Sequence, residues 1–288
     1  MKILSYFFLR FMIILVGFMP FSVMYLFSDL VYFIIYHVIG YRRKVVHANL
    51  SSSFPEKDEA EIRKLTVKYY HHLCDISLES IKGFTMSGKE LIRRHHILNP
   101  ELGDYYFDKG ISSIAVPAHY NNWEWGSLSP GLQLKYPIVG FYKPLSNQLV
   151  DKFVKTHRAK FNTKLASIGE TAITFTDLVA KPNAFLMASD QSPSNLKDSY
   201  WFDFLNHDTP WLHGPEKYAR KYKLPVVYVD IQKVKRGFYD LKLVLLTDDP
   251  SSLPDGEITR LYVQQLEKAI LNEPAYWLWS HKRWKYKR

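Results

Sequence analysis

From Gly110 onward the chain alternates short apolar runs with stretches of helical spacing, and this alternation constrains the fold more than any other feature. Apolar runs stand at 111–118, 136–142, 184–189, 224–234 and 241–246. Helical patterns stand at 148–161, 170–180, 215–222 and 257–271. Strands that alternate with helices are joined by crossovers, so the fold class is α/β, a mixed, mostly parallel sheet flanked by helices. No internal repeat, low-complexity tract or linker divides the chain after residue 45, so 45–288 reads as one domain and 1–44 as a separate N-terminal segment.

That first segment is of another kind. Residues 11–28 carry no charge, and 18 residues rising about 1.5 Å each reach roughly 27 Å, near the thickness of a bilayer core. The segment reads as a membrane-anchoring helix. A second uncharged run, 30–41, is too short to cross unaided and stops at Arg42-Arg43-Lys44, cations that mark a cytoplasmic edge. No small-residue cleavage site of the A-x-A kind precedes them, so the anchor is expected to be retained. Arg10 and Pro20 also suit a kinked hairpin with Lys2, Arg10 and Arg42 on one side, which leaves the number of crossings open.

The anchor decides how the charge is read. A formal net charge of +10 with 16% aromatic residues suits a surface facing something anionic: a membrane, a nucleic acid or an acidic protein. An apolar N-terminus favours membrane lipids and speaks against nucleic acid. The single cysteine, Cys74, excludes an intrachain disulfide and suits a reducing compartment. In the tail 276–288, Trp277, Trp279 and Trp284 stand among basic residues. Indoles favour the membrane interface, where each cation adds on the order of 1 kcal/mol of attraction, although Trp277 and Trp279 suit a core equally well.

Residues 57–82 read as one long helix with Ile62, Leu65, Tyr69, Leu73, Ile76 and Ile81 toward the core. His71, Asp75 and Glu79 recur at i, i+4, i+8, a spacing that could hold a metal. Polar residues four apart more often form a hydrogen-bonded face, and no metal site is expected. Segment 201–215 reads as a loop from its aromatic and proline content.

The chemistry concentrates in Val116-Pro-Ala-His119-Tyr-Asn-Asn-Trp-Glu124-Trp-Gly126. A strand ending near Pro117 and a helix starting at 121–124 put His119 in a strand-to-helix turn, where open α/β sheets hold ligands. On a continuous helix an i, i+5 pair points about 140° apart, so His119 and Glu124 meet only if the chain turns between them. With Asn121 as N-cap, Glu124 falls at N3 and the ring can fold back onto the carboxylate. One ring nitrogen then stays protonated and the other can take a proton from a hydroxyl, a charge-oriented base that suits direct attack on an acyl thioester. Asn121-x-x-Glu124 also fits a plain capping box, in which Glu124 only bonds the backbone at Asn121. Spacing alone does not choose.

The same residues carry a family resemblance. His119-x4-Glu124 resembles the H-x4-D/E motif of the glycerolipid acyltransferase superfamily. Its setting is similar to the bacterial lipid A biosynthesis branch, the lauroyl and myristoyl acyltransferases that use acyl carrier protein thioesters. Tyr41-Arg-Arg-Lys-Val-Val with Asn49-Leu50 and Phe54-Pro55 resembles the opening segment. Phe141-Tyr-Lys-Pro144 with the basic helix containing Arg158 resembles the second block, and Ala188-Ser-Asp190-Gln191 the acidic-Gln block. Leu224-Pro225-Val226 and 274–284 resemble the last two, so the resemblance covers most of the chain from Arg42.

It implies His119 as base, Glu124 as its orienting partner, and Lys143 and Arg158 as cations for phosphates of the acceptor or of the carrier's phosphopantetheine. Asp190 and Gln191 would line the same crevice and place the acceptor. The plainer alternatives are a solvated cation for Arg158 and the cap of a turn for Asp190. No metal or organic cofactor is implied, and 201–215 becomes a candidate flap over an acyl channel. Two positions depart from the pattern. Ala118 stands where glycine or serine is common, and Lys143, where arginine is frequent, forgoes bidentate phosphate recognition.

The expectation is a membrane-associated O-acyltransferase on the cytoplasmic face of a bacterial inner membrane. It would move a fatty acyl chain from acyl carrier protein to a hydroxyl of a lipid A precursor or similar glycolipid. Rival readings are the same chemistry on a lysophospholipid, aminolipid or pigment lipid, and a catalytically inactive, membrane-tethered lipid-binding protein.

Overall fold

The computed structural model describes residues 2–288. It begins with two apolar helices, α1 (Lys2–Phe18) and α2 (Phe21–Phe33), the second continuing as a π-helical stretch at Ile34–Ile39. Pro20 separates them, since it has no N–H to extend α1 and its fixed φ suits the residue before a new helix. The anchor expected over 11–28 is therefore broken. The helical stretch long and apolar enough to cross a membrane, by length and composition, is Phe21–Ile39, because the run after Asp29 is continuous with the residues before it.

Two further helices follow, α3 (Arg43–Ser53) and α4 (Glu59–Gly83). The latter opens on a capping box between Asp58 and Glu61, which sets its start just inside the expected limit. Its polar stripe has protein partners. Asp75 accepts from Ser28 and Arg236, Glu79 accepts from Tyr25, Asn122 and Tyr239, and His71 lies 3.5 Å from Asp29. The stripe thus fastens other elements onto α4.

Next come α5 (Gly88–Arg94), β1 (His95–Ile97) and α6 (Glu101–Asp108). The body continues with β2 (Ser113–Pro117), α7 (Trp123–Gly126), α8 (Pro130–Gln133), β3 (Ile138–Tyr142), α9 (Gln148–Arg158), β4 (Thr163–Ser167), α10 (Thr171–Leu178) and β5 (Ala184–Leu186). It ends with the pair β6 (Tyr200–Phe204) and β7 (His207–Trp211), then α11 (Gly214–Tyr222), β8 (Val226–Lys235), β9 (Phe238–Thr247) and α12 (Glu257–Asn272). Seven strands form one sheet in the order β1-β9-β8-β2-β5-β3-β4. Its pairings are parallel except for β8 with β9, giving the mixed, mostly parallel α/β sheet. Ile114, Val116 and Phe185 on its central strands are buried, as befits strands covered on both faces.

Residues 201–215 correct the sequence reading. They are mostly strand, an antiparallel hairpin turned by Leu205-Asn206, both at positive φ (50° and 66°). Positive φ at two central residues is the pattern of a type I′ turn, whose usual Asn-Gly signature the leucine conceals. Phe204 and Trp211 are buried in the main core with their rings edge-on at 4.9 Å. The tail's indoles also belong to the core: Trp277 and Trp279 are buried, and Trp284 packs against both.

Candidate active site

Strands β2 and β5 are parallel neighbours, with Ala115 opposite Leu186, so the residues beyond their carboxyl ends emerge side by side. Those residues are His119 and Asp190. The ring nitrogen Nδ1 of His119 lies 2.7 Å from Asp190 Oδ1, while the His119 backbone N donates to Asp190 Oδ2 at 2.9 Å. Trp277 Nε1 donates to that same Oδ2 at 3.0 Å. The Asp190 side chain is 2% exposed and the imidazole 24%, so the carboxylate is hidden behind a ring that reaches the crevice. Gln191 Nε2 lies 3.2 Å from His119 Nε2, at the edge that remains.

The charges follow from this geometry. Burial disfavours an imidazolium here, but the charge and hydrogen bond of Asp190, aided through space by Glu124, outweigh it and raise the His119 pKa above its ordinary 6.5. Burial would also raise Asp190. The neighbouring imidazole and the converging N–H donors reverse that and hold it down to about 2. Asp190 therefore stays ionised and fixes the Nδ1–H tautomer of neutral His119, which leaves the Nε2 lone pair to accept from the Gln191 amide.

The turn between His119 and Glu124 is present. It reverses at Asn121, whose φ is +54° and whose Nδ2 donates to Ile231 O at 2.8 Å. Asn122, one residue later than expected, caps α7 by accepting from Trp125 N, and its own Nδ2 donates to Glu79 at 2.7 Å. Glu124 thus occupies the second helical position, outside any capping box, and pairs with Arg158 at 2.5 Å. The carboxylate bonded to His119 is Asp190, not Glu124. On a helix of one turn Glu124 points at α9, whereas the sheet brings Asp190 from 71 residues away.

The expected residues fall into groups. His119, Asp190 and Gln191 are in contact, Glu124 and Arg158 form a second pair whose acidic partner acts on the imidazole by charge, and Lys143 stands exposed on the loop after β3. Three tail residues join the site unexpectedly. Besides Trp277, His281 Nε2 accepts from Ser192 N at 3.1 Å, and Arg283 lies wholly buried over the Trp211 ring at 4.4 Å. Burial lowers the Arg283 pKa to about 10. The Trp/His/Arg spacing is visible in the sequence, where Trp277 and Trp279 suit a core and a membrane interface equally, but the contact of Trp277 with Asp190 is set by the fold.

Comparison with known proteins gives the family. The family model described as bacterial lipid A biosynthesis acyltransferase matches residues 1–286. The chain belongs to the bacterial lipid A biosynthesis acyltransferase family. Over 248 residues it is 25% identical to a lipid A biosynthesis lauroyltransferase of Escherichia coli (strain K12), covering 85% of this chain and 79% of the relative. It is 22% identical over 258 residues to a lipid A biosynthesis palmitoleoyltransferase of the same strain and to a lipid A biosynthesis acyltransferase of Shigella flexneri, with the same coverage. As a member of this family the chain is an acyltransferase.

Proposed function

We propose that this acyltransferase moves a fatty acyl chain from an acyl carrier protein thioester to a hydroxyl of a lipid A precursor or similar glycolipid, at the cytoplasmic face of the inner membrane. The observation that carries the proposal is the His119–Asp190 pair, with Nδ1 engaged at 2.7 Å and Nε2 left with a neutral amide partner that a hydroxyl can displace. His119 Nε2 takes the proton of the acceptor hydroxyl as its oxygen attacks the thioester carbonyl. The tetrahedral intermediate then collapses, the C–S bond breaks, and the imidazolium returns the proton to the departing thiolate. Gln191, 3.2 Å from Nε2, marks the place the hydroxyl takes. Arg158, held by Glu124, offers a fixed cation to phosphate at the crevice edge, with Lys143 a second cation on the neighbouring loop. Residues 1–44 serve as the membrane anchor and 45–288 as the catalytic domain.

The test is transfer from acyl carrier protein charged with labelled fatty acid into a membrane lipid extract. The expected product is a labelled glycolipid, with His119→Ala losing roughly a hundred- to ten-thousand-fold in rate. No His119-dependent transfer to any lipid overturns the reading. Label on a lysophospholipid, aminolipid or pigment lipid instead moves the acceptor to that class.

A further inference from the structure

Both apolar helices are stitched to the body along their length. Lys82 of α4 donates to the carbonyls of Val16, Gly17 and Met19 at 3.2, 2.7 and 2.7 Å, closing the end of α1. On α2, Tyr25 donates to Glu79 and Ser28 to Asp75, each at 2.7 Å. Arg236, in the β8–β9 turn, donates to Asp29 and Asp75, each at 2.6 Å. Further along, Tyr36 is buried in the main core and Arg42 donates to Ser280 O at 2.8 Å.

Ser28 and Asp29 stand near the middle of Phe21–Ile39, the stretch with the length and composition of a span. If it crossed a bilayer core of roughly 30 Å, that middle would lie near the midplane. Arg236 and Asp75 would then have to enter hydrocarbon or release their partners. Charged groups are strongly disfavoured at that depth, and the buried bonds would otherwise be lost. Spanning and this fold exclude each other.

The outward faces of the two helices are nevertheless apolar. Leu4 and Phe8 on α1 and Leu26 and Val38 after the bend are exposed, and Phe18, at the bend itself, is 86% exposed. Cations stand at the ends of the pair, Lys2 at the start of one arm and Arg42, Arg43 and Lys44 beyond the other, with Arg10 exposed midway along α1 and able to extend its charge toward the headgroups, which complements an anionic leaflet. The face is continuous with the site, because Asn147 Nδ2 donates to Lys2 O and Tyr6 packs edge-on against Phe153 of α9, the helix that carries Arg158.

We propose that α1 and α2 form a monotopic hairpin inserted into one leaflet of an anionic bilayer, with Lys2 and Lys44 on the same side as the catalytic body. The inference rests on the membrane-bound reading above and adds the topology. Cys74 is buried and is the sole cysteine of the sequence, so single cysteines can be introduced over Cys74→Ala in the full-length protein. In membrane vesicles of either orientation, a membrane-impermeant maleimide should label Lys2→Cys, Lys44→Cys and Lys287→Cys from one and the same side. Phe18→Cys should remain protected from both sides until detergent is added. Retained acyl transfer shows that each variant is folded. Label reaching Lys2→Cys or Phe18→Cys only from the side opposite Lys287→Cys overturns the hairpin and leaves the membrane-bound enzyme standing. Label reaching Phe18→Cys from the near side without detergent overturns insertion. A chain that stays in the supernatant of anionic vesicles overturns the membrane reading and the hairpin together.

Discussion

Asp190→Asn separates the two carboxylates that could serve His119. The substitution keeps shape but supplies one oxygen where three N–H donors converge: His119 Nδ1, His119 N and Trp277 Nε1. If the new amide turned its NH2 toward the last two, two buried donors would lose their acceptor at about 1–3 kcal/mol each. It therefore presents NH2 to Nδ1, forces the proton onto Nε2, and leaves the base in the wrong tautomer. The expected fall in kcat is of the order of His119→Ala, roughly a hundred- to ten-thousand-fold. KM should change little, because the carboxylate is buried behind the ring. The sign with pH is also fixed. His119 must be neutral to act, so wild-type activity rises as pH climbs through a pKa held above 6.5. Removing the Asp190 charge lowers that pKa, so the ascending limb of the residual activity moves to lower pH. Single-turnover transfer from charged acyl carrier protein across that range measures both quantities. Glu124→Gln, which removes a through-space charge from His119 and the ion-pair partner of Arg158, should shift the limb the same way with the smaller loss of rate. An Asp190→Asn enzyme that works within a few-fold of wild type, beside a silent Glu124→Gln, would refute the assignment.

Trp277→Phe keeps the aromatic packing but deletes one donor to Asp190, so the ascending limb should move while the fold loses about 1–2 kcal/mol, read from urea midpoints. Asp190, at about 2 against an ordinary 3.8, contributes stability that is complete above 3.8 and lost as pH falls through its folded value. The acid limb of a urea-midpoint series should lose about 2 kcal/mol over that window and flatten in Asp190→Asn. Seen from His119, the same interaction is full below 6.5 and fades as pH rises through the raised value, so it counts once. Gly131→Ala would set a Cβ 1.9 Å from the backbone carbonyl of Phe161 and should cost about 3 kcal/mol, seen as a lower Tm; an unchanged Tm would show that α8 and the turn between α9 and β4 do not touch.

How much of this is legible in the sequence depends on the range of the forces involved. The apolar runs that became β2, β3, β5 and β8 announce themselves, because a strand covered on both faces has to be apolar along its length. The β6–β7 hairpin does not, because Leu205 at positive φ is held by its surroundings: its N–H donates to Glu267 and its side chain is buried. His119 was legible from its position after a strand. Its partner was not, since proximity in sequence favours Glu124, whereas the register of β2 with β5 decides for Asp190. The i, i+4, i+8 stripe on α4 was visible as a pattern without a purpose. Its purpose is Glu79, whose carboxylate accepts from Tyr25 of α2, from Asn122 of the catalytic turn and from Tyr239 of β9. Asn121 at φ +54° costs free energy for a residue with a side chain, and that conformation persists only where neighbours over-determine it. Asn121 is tied to Ile231 on one side, and Asn122 is tied to Glu79 on the other. The turn that carries His119 is therefore held from beneath by a buried carboxylate that α2 shares, which couples the seating of that helix to the position of the imidazole.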